Sequence, residues 1–279
     1  GSDGYGIRLS STAYNNSIYS NNITTTHATT GYGIYLLNNV FNNTFWNNTI
    51  NASSSRIYLN NVTNNTFTNN TFIEGATKTN YDIFSINNAT NNTFLNNSFN
   101  KSDVSFGKGV NNFTVQEYID INITNSTNLA EPNVKVNITN ASGTVATPVF
   151  ELTTNAIGTV GMQTVTEFIA YGLYNYTNYT SDLGYATNNF SLMSPYNVTA
   201  FKANYNMNST NITTNGTSNI KGTTTQIALK FGVSGSNACG DLDTANTIYT
   251  LTSNVTSVGT CFNVTANNVT LSCAGYNIR

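Results

Sequence analysis

The sequence predicts an all-β chain, a parallel β-helix combined with a β-sandwich. Three observations predict it. Asn-rich segments recur at intervals of roughly 22 to 27 residues, and a fixed period of that size marks a solenoid. Within each repeat, apolar residues alternate with polar ones at period two, as in half-buried strands. No stretch of ten or more helix-forming residues interrupts them.

Four segments align: Tyr14-Asn-Asn-Ser-Ile-Tyr-Ser-Asn-Asn-Ile23, Phe41-Asn-Asn-Thr-Phe-Trp-Asn-Asn-Thr-Ile50, Thr63-Asn-Asn-Thr-Phe-Thr-Asn-Asn-Thr-Phe72 and Thr90-Asn-Asn-Thr-Phe-Leu-Asn-Asn-Ser-Phe99. A shorter element keeps the same beat at Tyr5-Gly-Ile7, Tyr32-Gly-Ile34, Arg56-Ile57 and Asp82-Ile83. Ile7 and Leu9, Ile34 and Leu36, and Ile57 and Leu59 are predicted to face inward. Phe45, Ile50, Phe67 and Phe72 add further inward positions, so each coil is about three short strands joined by tight corners. The paired Asn suit those corners. Asn tolerates the left-handed conformation and bonds to nearby backbone. Stacked in register, its amides can also bond to one another along the axis. Thr or Ser two residues later suits the strand that follows.

Composition bounds the function. Charged residues make up 8 % of the 279, while Asn alone accounts for 52. The surface is therefore polar without being charged. A hydrophobic share of 39 %, with 17 Tyr and 15 Phe, argues against disorder. The net charge of −2 and ten scattered Lys and Arg form no basic patch, which excludes a nucleic-acid partner. No apolar run approaches the roughly 18 residues of a membrane span. The chain shows no signal peptide and does not begin with Met, so it reads as a mature or excised piece of a longer precursor.

The sequence holds 27 Asn-x-Ser/Thr sequons, which accept glycans only in a secretory or cell-surface setting. The candidates are Asn15, Asn22, Asn42, Asn47, Asn64, Asn69, Asn91, Asn96, Asn125, Asn140, Asn178, Asn197, Asn211, Asn215, Asn254 and Asn268. A chain this rich in Asn and Thr also makes sequons by chance. The Asn-Asn-Thr corner has its structural use besides. An extracellular, cell-surface location is expected.

The motif Gly4-Tyr-Gly-Ile7, followed by Asn15-Asn-Ser-Ile18 and Asn21-Asn-Ile23, resembles the right-handed parallel β-helix repeat of the NosD-like, pectate-lyase-like superfamily. The resemblance covers roughly residues 1–110 and 237–279. It implies the fold but no one activity, since that superfold hosts lyases, glycosidases, adhesins and passive surface proteins.

After about Val110 the Asn-Asn-Thr beat stops. Residues 111–232 carry short alternating segments: Phe113–Thr124, Val134–Thr139, Val149–Leu152, Val160–Ala170, Tyr196–Tyr205 and Thr225–Phe231. Six or seven short strands in this length predict a β-sandwich. Ser194-Pro-Tyr-Asn-Val-Thr-Ala-Phe201 resembles a late strand of immunoglobulin-like and carboxypeptidase-regulatory-like domains, which commonly act as spacers or adhesion modules. From 233 to 279 the first theme returns in Tyr249-Thr-Leu251, Cys261-Phe-Asn-Val-Thr265 and Asn267-Asn-Val-Thr-Leu-Ser-Cys273. This stretch looks like the opening coils of the same family, where a polar loop and a Cys pair precede the first full rungs. A Cys239–Cys261 disulfide is expected in an oxidising compartment, with Cys273 a small buried hydrophobe.

Val264 to Ile7 spans about one period if Arg279 is followed by Gly1. The C-terminal coils are thus expected to precede the N-terminal ones, in a tandem array or between identical units joined head to tail. An open coil exposes an apolar cross-section and unpaired strand edges, and an interface that does not close on itself gives a filament.

Catalytic chemistry finds few carriers. His27 is the only histidine and reads as an exposed loop residue. One His builds no His-type metal site, and no Met/His cluster supports copper. Polysaccharide cleavage needs paired carboxylates, or carboxylates with Ca²⁺ and a base. Asp3, Glu74, Asp82 and Asp103 are read as lying far apart in the repeat phase. Asp82 is read as pointing outward toward an ion pair with Arg56. Asp241 and Asp243 offer oxygen ligands to Ca²⁺, though turn formation is the simpler reading. Trp46 is predicted to point outward, as a lone surface variation or a sugar-stacking platform. The expectation is a non-catalytic structural subunit without cofactors, dressed with covalent glycans. A carbohydrate-binding adhesin and a polysaccharide-active enzyme are the alternatives.

Overall fold

The computed structural model describes residues 4–27, 30–73, 81–101, 103–125, 129–140, 150–173, 187–192, 194–202, 208–212, 225–231, 234–236, 239–243 and 245–279. They are all-β, and their stacked parallel strands form a β-solenoid of about 8 turns. Among the described residues no helix is long and apolar enough to cross a membrane.

The first coil carries β1 (Gly4–Ser10), β2 (Ser17–Tyr19) and β3 (Asn22–Thr25). The second carries β4 (Gly31–Phe41), β5 (Thr44–Trp46) and β6 (Thr49–Ala52), and the third β7 (Ile57–Thr63), β8 (Thr66–Thr68) and β9 (Thr71–Phe72). β10 (Ile83–Ile86) and β11 (Asn92–Leu95) follow, then β12 (Val104–Phe106) and β13 (Asn111–Asn125). Next come β14 (Lys135–Asn140), β15 (Phe150–Thr153), β16 (Thr159–Leu173), β17 (Thr187–Leu192), β18 (Tyr196–Phe201), β19 (Asn208–Ile212) and β20 (Thr225–Phe231). The C-terminal coils carry β21 (Ser234–Ser236), β22 (Gly240–Leu242), β23 (Ile248–Leu251), β24 (Phe262–Val264) and β25 (Thr270–Ser272).

The chain divides into two compact units. The first comprises Gly1–Tyr118, Thr164–Ser194 and Thr214–Thr224; the second comprises Ile119–Gln163, Pro195–Thr213 and Thr225–Arg279. In the first unit three parallel sheets run along the solenoid, ordered β1-β4-β7-β10-β12, β2-β5-β8-β11-β13 and β3-β6-β9. Register follows the repeat: Ile34 pairs with Ile57, and Thr44-Phe45-Trp46 with Thr66-Phe67-Thr68.

The uneven period has a local cause. From the third-strand core residue to the next first-strand one, Ile23 to Ile34 and Phe72 to Ile83 are eleven positions, but Ile50 to Ile57 is seven. A register shift between Leu37 and Val40 absorbs one more residue. The Tyr-Gly-Ile signature is explained at Gly33, where a Cβ would lie 2.3 Å from Ile50 Cγ2 and 2.6 Å from the Arg56 carbonyl. Any side chain there would push adjacent coils apart.

The core of the first unit is one apolar file. Ile34, Leu36, Phe45, Ile50, Ile57, Leu59, Phe67, Ile83 and Phe94 are fully buried. Phe45, Phe67 and Phe94 stack face to face at 4.8 and 4.6 Å. Such stacking adds to the burial of apolar area itself.

The expected sandwich over 111–232 is not seen among the described residues. β14, β15, β18 and β19 make one antiparallel sheet in the order β15-β14-β18-β19. β13 instead pairs in parallel with β11, and β16 and β17 join that same sheet. Within the second unit, β13 also pairs in parallel with β20 from Ile119↔Thr225 to Asn125↔Phe231. Alternation of apolar residues is the same in either setting, so it did not distinguish them.

Candidate functional site

The two Asn of each pair do different work. The first sits at the corner with positive φ: 56° at Asn15, 54° at Asn42, 56° at Asn64 and 55° at Asn91. A second corner repeats this at Asn47, Asn69 and Asn96, with φ of 56°, 55° and 53°. Most L-residues pay about 1–2 kcal/mol for that conformation, and Asn is among the few that visit it. The second Asn turns inward. Asn43, Asn48, Asn65, Asn70, Asn92 and Asn97 are buried.

These inward amides form two ladders. Asn43 Oδ1 accepts the backbone N–H and the Nδ2 of Asn16, both at 2.9 Å. Asn43 in turn donates its N–H and Nδ2 to Asn65 Oδ1 at 3.1 and 3.0 Å. Asn65 repeats both bonds to Asn92. The second ladder runs from Asn21 through Asn48 and Asn70 to Asn97 in the same way. Each Oδ1 accepts from the preceding coil. Among the described residues, nothing donates to Asn16 Oδ1 or Asn21 Oδ1, which stand at the exposed face of the first coil.

That face is apolar as well as amide-bearing. Ile7, Leu9, Ala13 and Ile18 pack against the core yet stay partly exposed, whereas their counterparts Ile34, Leu36, Val40 and Phe45 are fully buried. Arg8, Leu9, Ser10, Ala13, Asn16, Ser17 and Ile18 line a shallow, open depression there.

The outward side chains also stack. Tyr5, Tyr32 and Tyr35 lie face to face, with centroids 4.7–6.0 Å apart, and the Arg8 guanidinium sits 5.4 Å from the Tyr5 ring. Trp46 is 40 % exposed, as its outward assignment requires. Its ring stacks on Tyr19 at 4.7 Å, and Thr68 follows in register on the next coil.

Charges gather where the sequence reading did not place them. Arg56 and Asp82 do pair, Nη1 to Oδ1 at 3.3 Å, but both are buried rather than outward. Asp82 precedes the strand, at a corner where period-two alternation no longer holds. The Asp82 N–H donates to the Asp103 carbonyl at 2.8 Å. Asp82 and Asp103 are therefore register neighbours, not residues far apart in phase. Asp82 is closed to substrate by its burial.

A second cluster joins Lys101, Glu117 and Glu167. Lys101 Nζ bonds to Glu117 Oε1 at 3.1 Å and also to Glu167 Oε2, and Glu167 Oε1 is buried without a partner. Sequence reasoning missed this trio, because only the joining of β16 to the β13 sheet unites it. Burial raises the Glu117 carboxyl above its ordinary range, against the pull of Lys101. A raised carboxyl contributes stability below the ordinary Glu value of about 4.3 and loses it as pH rises through the raised value. Glu117→Gln is therefore expected to melt above the wild type at neutral pH, with the gap closing toward about pH 4. Melting curves from acid to neutral pH check this; an unchanged or lowered melting point at neutral pH would contradict it.

In the C-terminal coils Cys239 and Cys261 form a disulfide across 22 residues. Cys273 is exposed, which corrects the expectation that it is buried. These coils reuse the corner device: Asn246 and Asn268 have φ of 59° and 55°, and Asn268 Nδ2 donates to Asn246 Oδ1 at 2.9 Å. Asp241 Oδ1 accepts from Asn263 Nδ2 at 3.2 Å. Among the described residues no three His, Cys, Asp or Glu converge as metal ligands. His27 Nδ1 accepts the Thr30 N–H at 3.2 Å within its corner. Asn22, Asn254 and Asn268 are exposed, and Asn197 and Asn211 are joined Nδ2 to Oδ1 at 2.9 Å. Asp3, Glu74, Asn178 and Asn215, and the side chains of Asn125 and Asn140, lie outside the described residues.

No family model, curated protein or solved structure matches the chain.

Proposed function

We propose that the chain is a non-catalytic structural subunit of an extracellular, glycosylated filament or cell-surface tandem array, in which coils of identical units stack head to tail. The face of the first coil carries the proposal. It presents Ile7, Leu9 and Ile18 at positions that are buried one coil later. It also presents two amide acceptors at the positions where inner coils receive two bonds each. That is the chemistry of a surface suited to another coil of the same repeat. The C-terminal coils, with their 22-residue register and corner Asn, offer such a coil. In this reading the solenoid is a right-handed, NosD-like helix, and the antiparallel sheet belongs to an immunoglobulin-like spacer. The buried carboxylates serve structure.

Ile18→Lys places a charge on the partly exposed first-coil face, where Ile18 packs on the buried file from its open side. Sedimentation of the full chain is expected to show assembly for the wild type and its loss in the variant. A wild type that stays a single unit at high concentration, or a variant that assembles equally, would overturn the proposal. A carbohydrate-binding adhesin is the second reading, favoured by the exposed Tyr19–Trp46 pair. Glycan binding that disappears in Trp46→Ala would select it.

A further inference from the structure

We infer that the corner file Asn15–Asn42–Asn64–Asn91 is the stripe of this chain that accepts N-linked glycans, and that two adjacent coils of it are not occupied on one molecule. The inference rests on the glycosylated, extracellular reading above and adds which amides are used. All four residues head sequons. All four are exposed and stand at positive-φ corners, where the side chain projects from the solenoid. Among the described residues none of their side-chain amides makes a hydrogen bond.

The second corner file differs. Asn96 Nδ2 donates to Asn69 Oδ1 at 2.6 Å, and Asn47 Nδ2 to Ser20 Oγ at 3.4 Å. Those amides are engaged along the axis. The inner Asn of these pairs heads no sequon, because an inward Phe or Ile stands two residues on, and from the second coil onward it is buried. Of the two corner files, only the first combines sequons, exposure and free amides at every described position.

Transfer requires an activated donor of the glycosyl phosphate class. Its anomeric C1–O bond breaks with phosphate keeping the electron pair, a C1–Nδ2 bond forms, and the amide gives up one proton. Spacing then limits occupancy. Parallel coils stack about 4.8 Å apart, and a pyranose with its hydroxyls is broader than one such step. Glycans two coils apart clear each other; glycans on neighbouring coils collide.

Site-resolved mass spectrometry of the Lys-C fragment ending at Lys78, cut from the native protein, reads Asn15, Asn42 and Asn64 together. Expected are fragments bearing Asn15 with Asn64, or Asn42 alone, and none bearing Asn42 with Asn64. Thr66→Val removes the Asn64 sequon but keeps its corner Asn. It is expected to abolish Asn64 occupancy and to raise occupancy of Asn42 on this fragment and of Asn91 on the following one, Thr79–Lys101. Fragments carrying glycans on both Asn42 and Asn64, or glycans confined to Asn47 and Asn69, would overturn the inference while leaving the glycoprotein reading intact. A native chain without any glycan would overturn both.

Discussion

Asp82→Ala is expected to destabilise the first unit by about 3–5 kcal/mol, the cost of removing one partner from a buried ion pair. Arg56 and Asp82 are 4 % and 2 % exposed. Arg56 also donates through Nε and Nη2 to the Ile73 carbonyl at 3.3 and 3.1 Å, and Asp82 Oδ2 accepts the Asn100 N–H at 2.6 Å. Removing the carboxylate strands a guanidinium in the interior and leaves that N–H without its acceptor. The double change Arg56→Met with Asp82→Leu is expected to cost far less than the sum of the single changes, because it removes both charges. Denaturant unfolding of the single and double variants checks this. An Asp82→Ala cost under about 1 kcal/mol, the range of an exposed pair, would contradict the buried assignment.

Asn70→Ala is expected to cost about 3–5 kcal/mol, since each buried group left unsatisfied costs about 1–3 kcal/mol. Asn70 Oδ1 accepts from Asn48 N–H and Nδ2 at 2.9 and 3.0 Å, and its Nδ2 donates to the Phe45 carbonyl and Asn97 Oδ1, both at 2.9 Å. Removing the amide leaves the Asn48 N–H and the Phe45 carbonyl without these partners. The exposed corner residue Asn64, whose side chain makes no hydrogen bond among the described residues, is the control. Asn64→Gly keeps the positive φ and is expected to change stability by less than about 1 kcal/mol. Unfolding curves that rank the two substitutions equally would show that the paired Asn do not divide the work between ladder and corner.

Much of this was legible in the residues. The Asn-Asn-Thr beat marked four coils and their corners, and alternation chose the inward Ile, Leu and Phe of those coils correctly. What escaped depended on contacts without a local signal. Glu117 and Glu167 are fifty positions apart, and nothing in either strand says that one lies beside the other. Asp82 was read as outward because alternation was carried past the end of its strand. Within 111–232, that β13 and β16 join the solenoid sheet was not legible, because alternating residues do not reveal whether a strand pairs in parallel or antiparallel. Cys273 was read as buried on residue type, but its coil leaves that position open to solvent.

Electron cryomicroscopy of the native material shows what covers Ile7, Leu9 and Ile18. A further parallel coil is expected there, about 4.8 Å from β1 and β2, with amide donors on Asn16 Oδ1 and Asn21 Oδ1. A first-coil face that stays bare in solution, or is closed by a segment that is not a coil of this repeat, would contradict it.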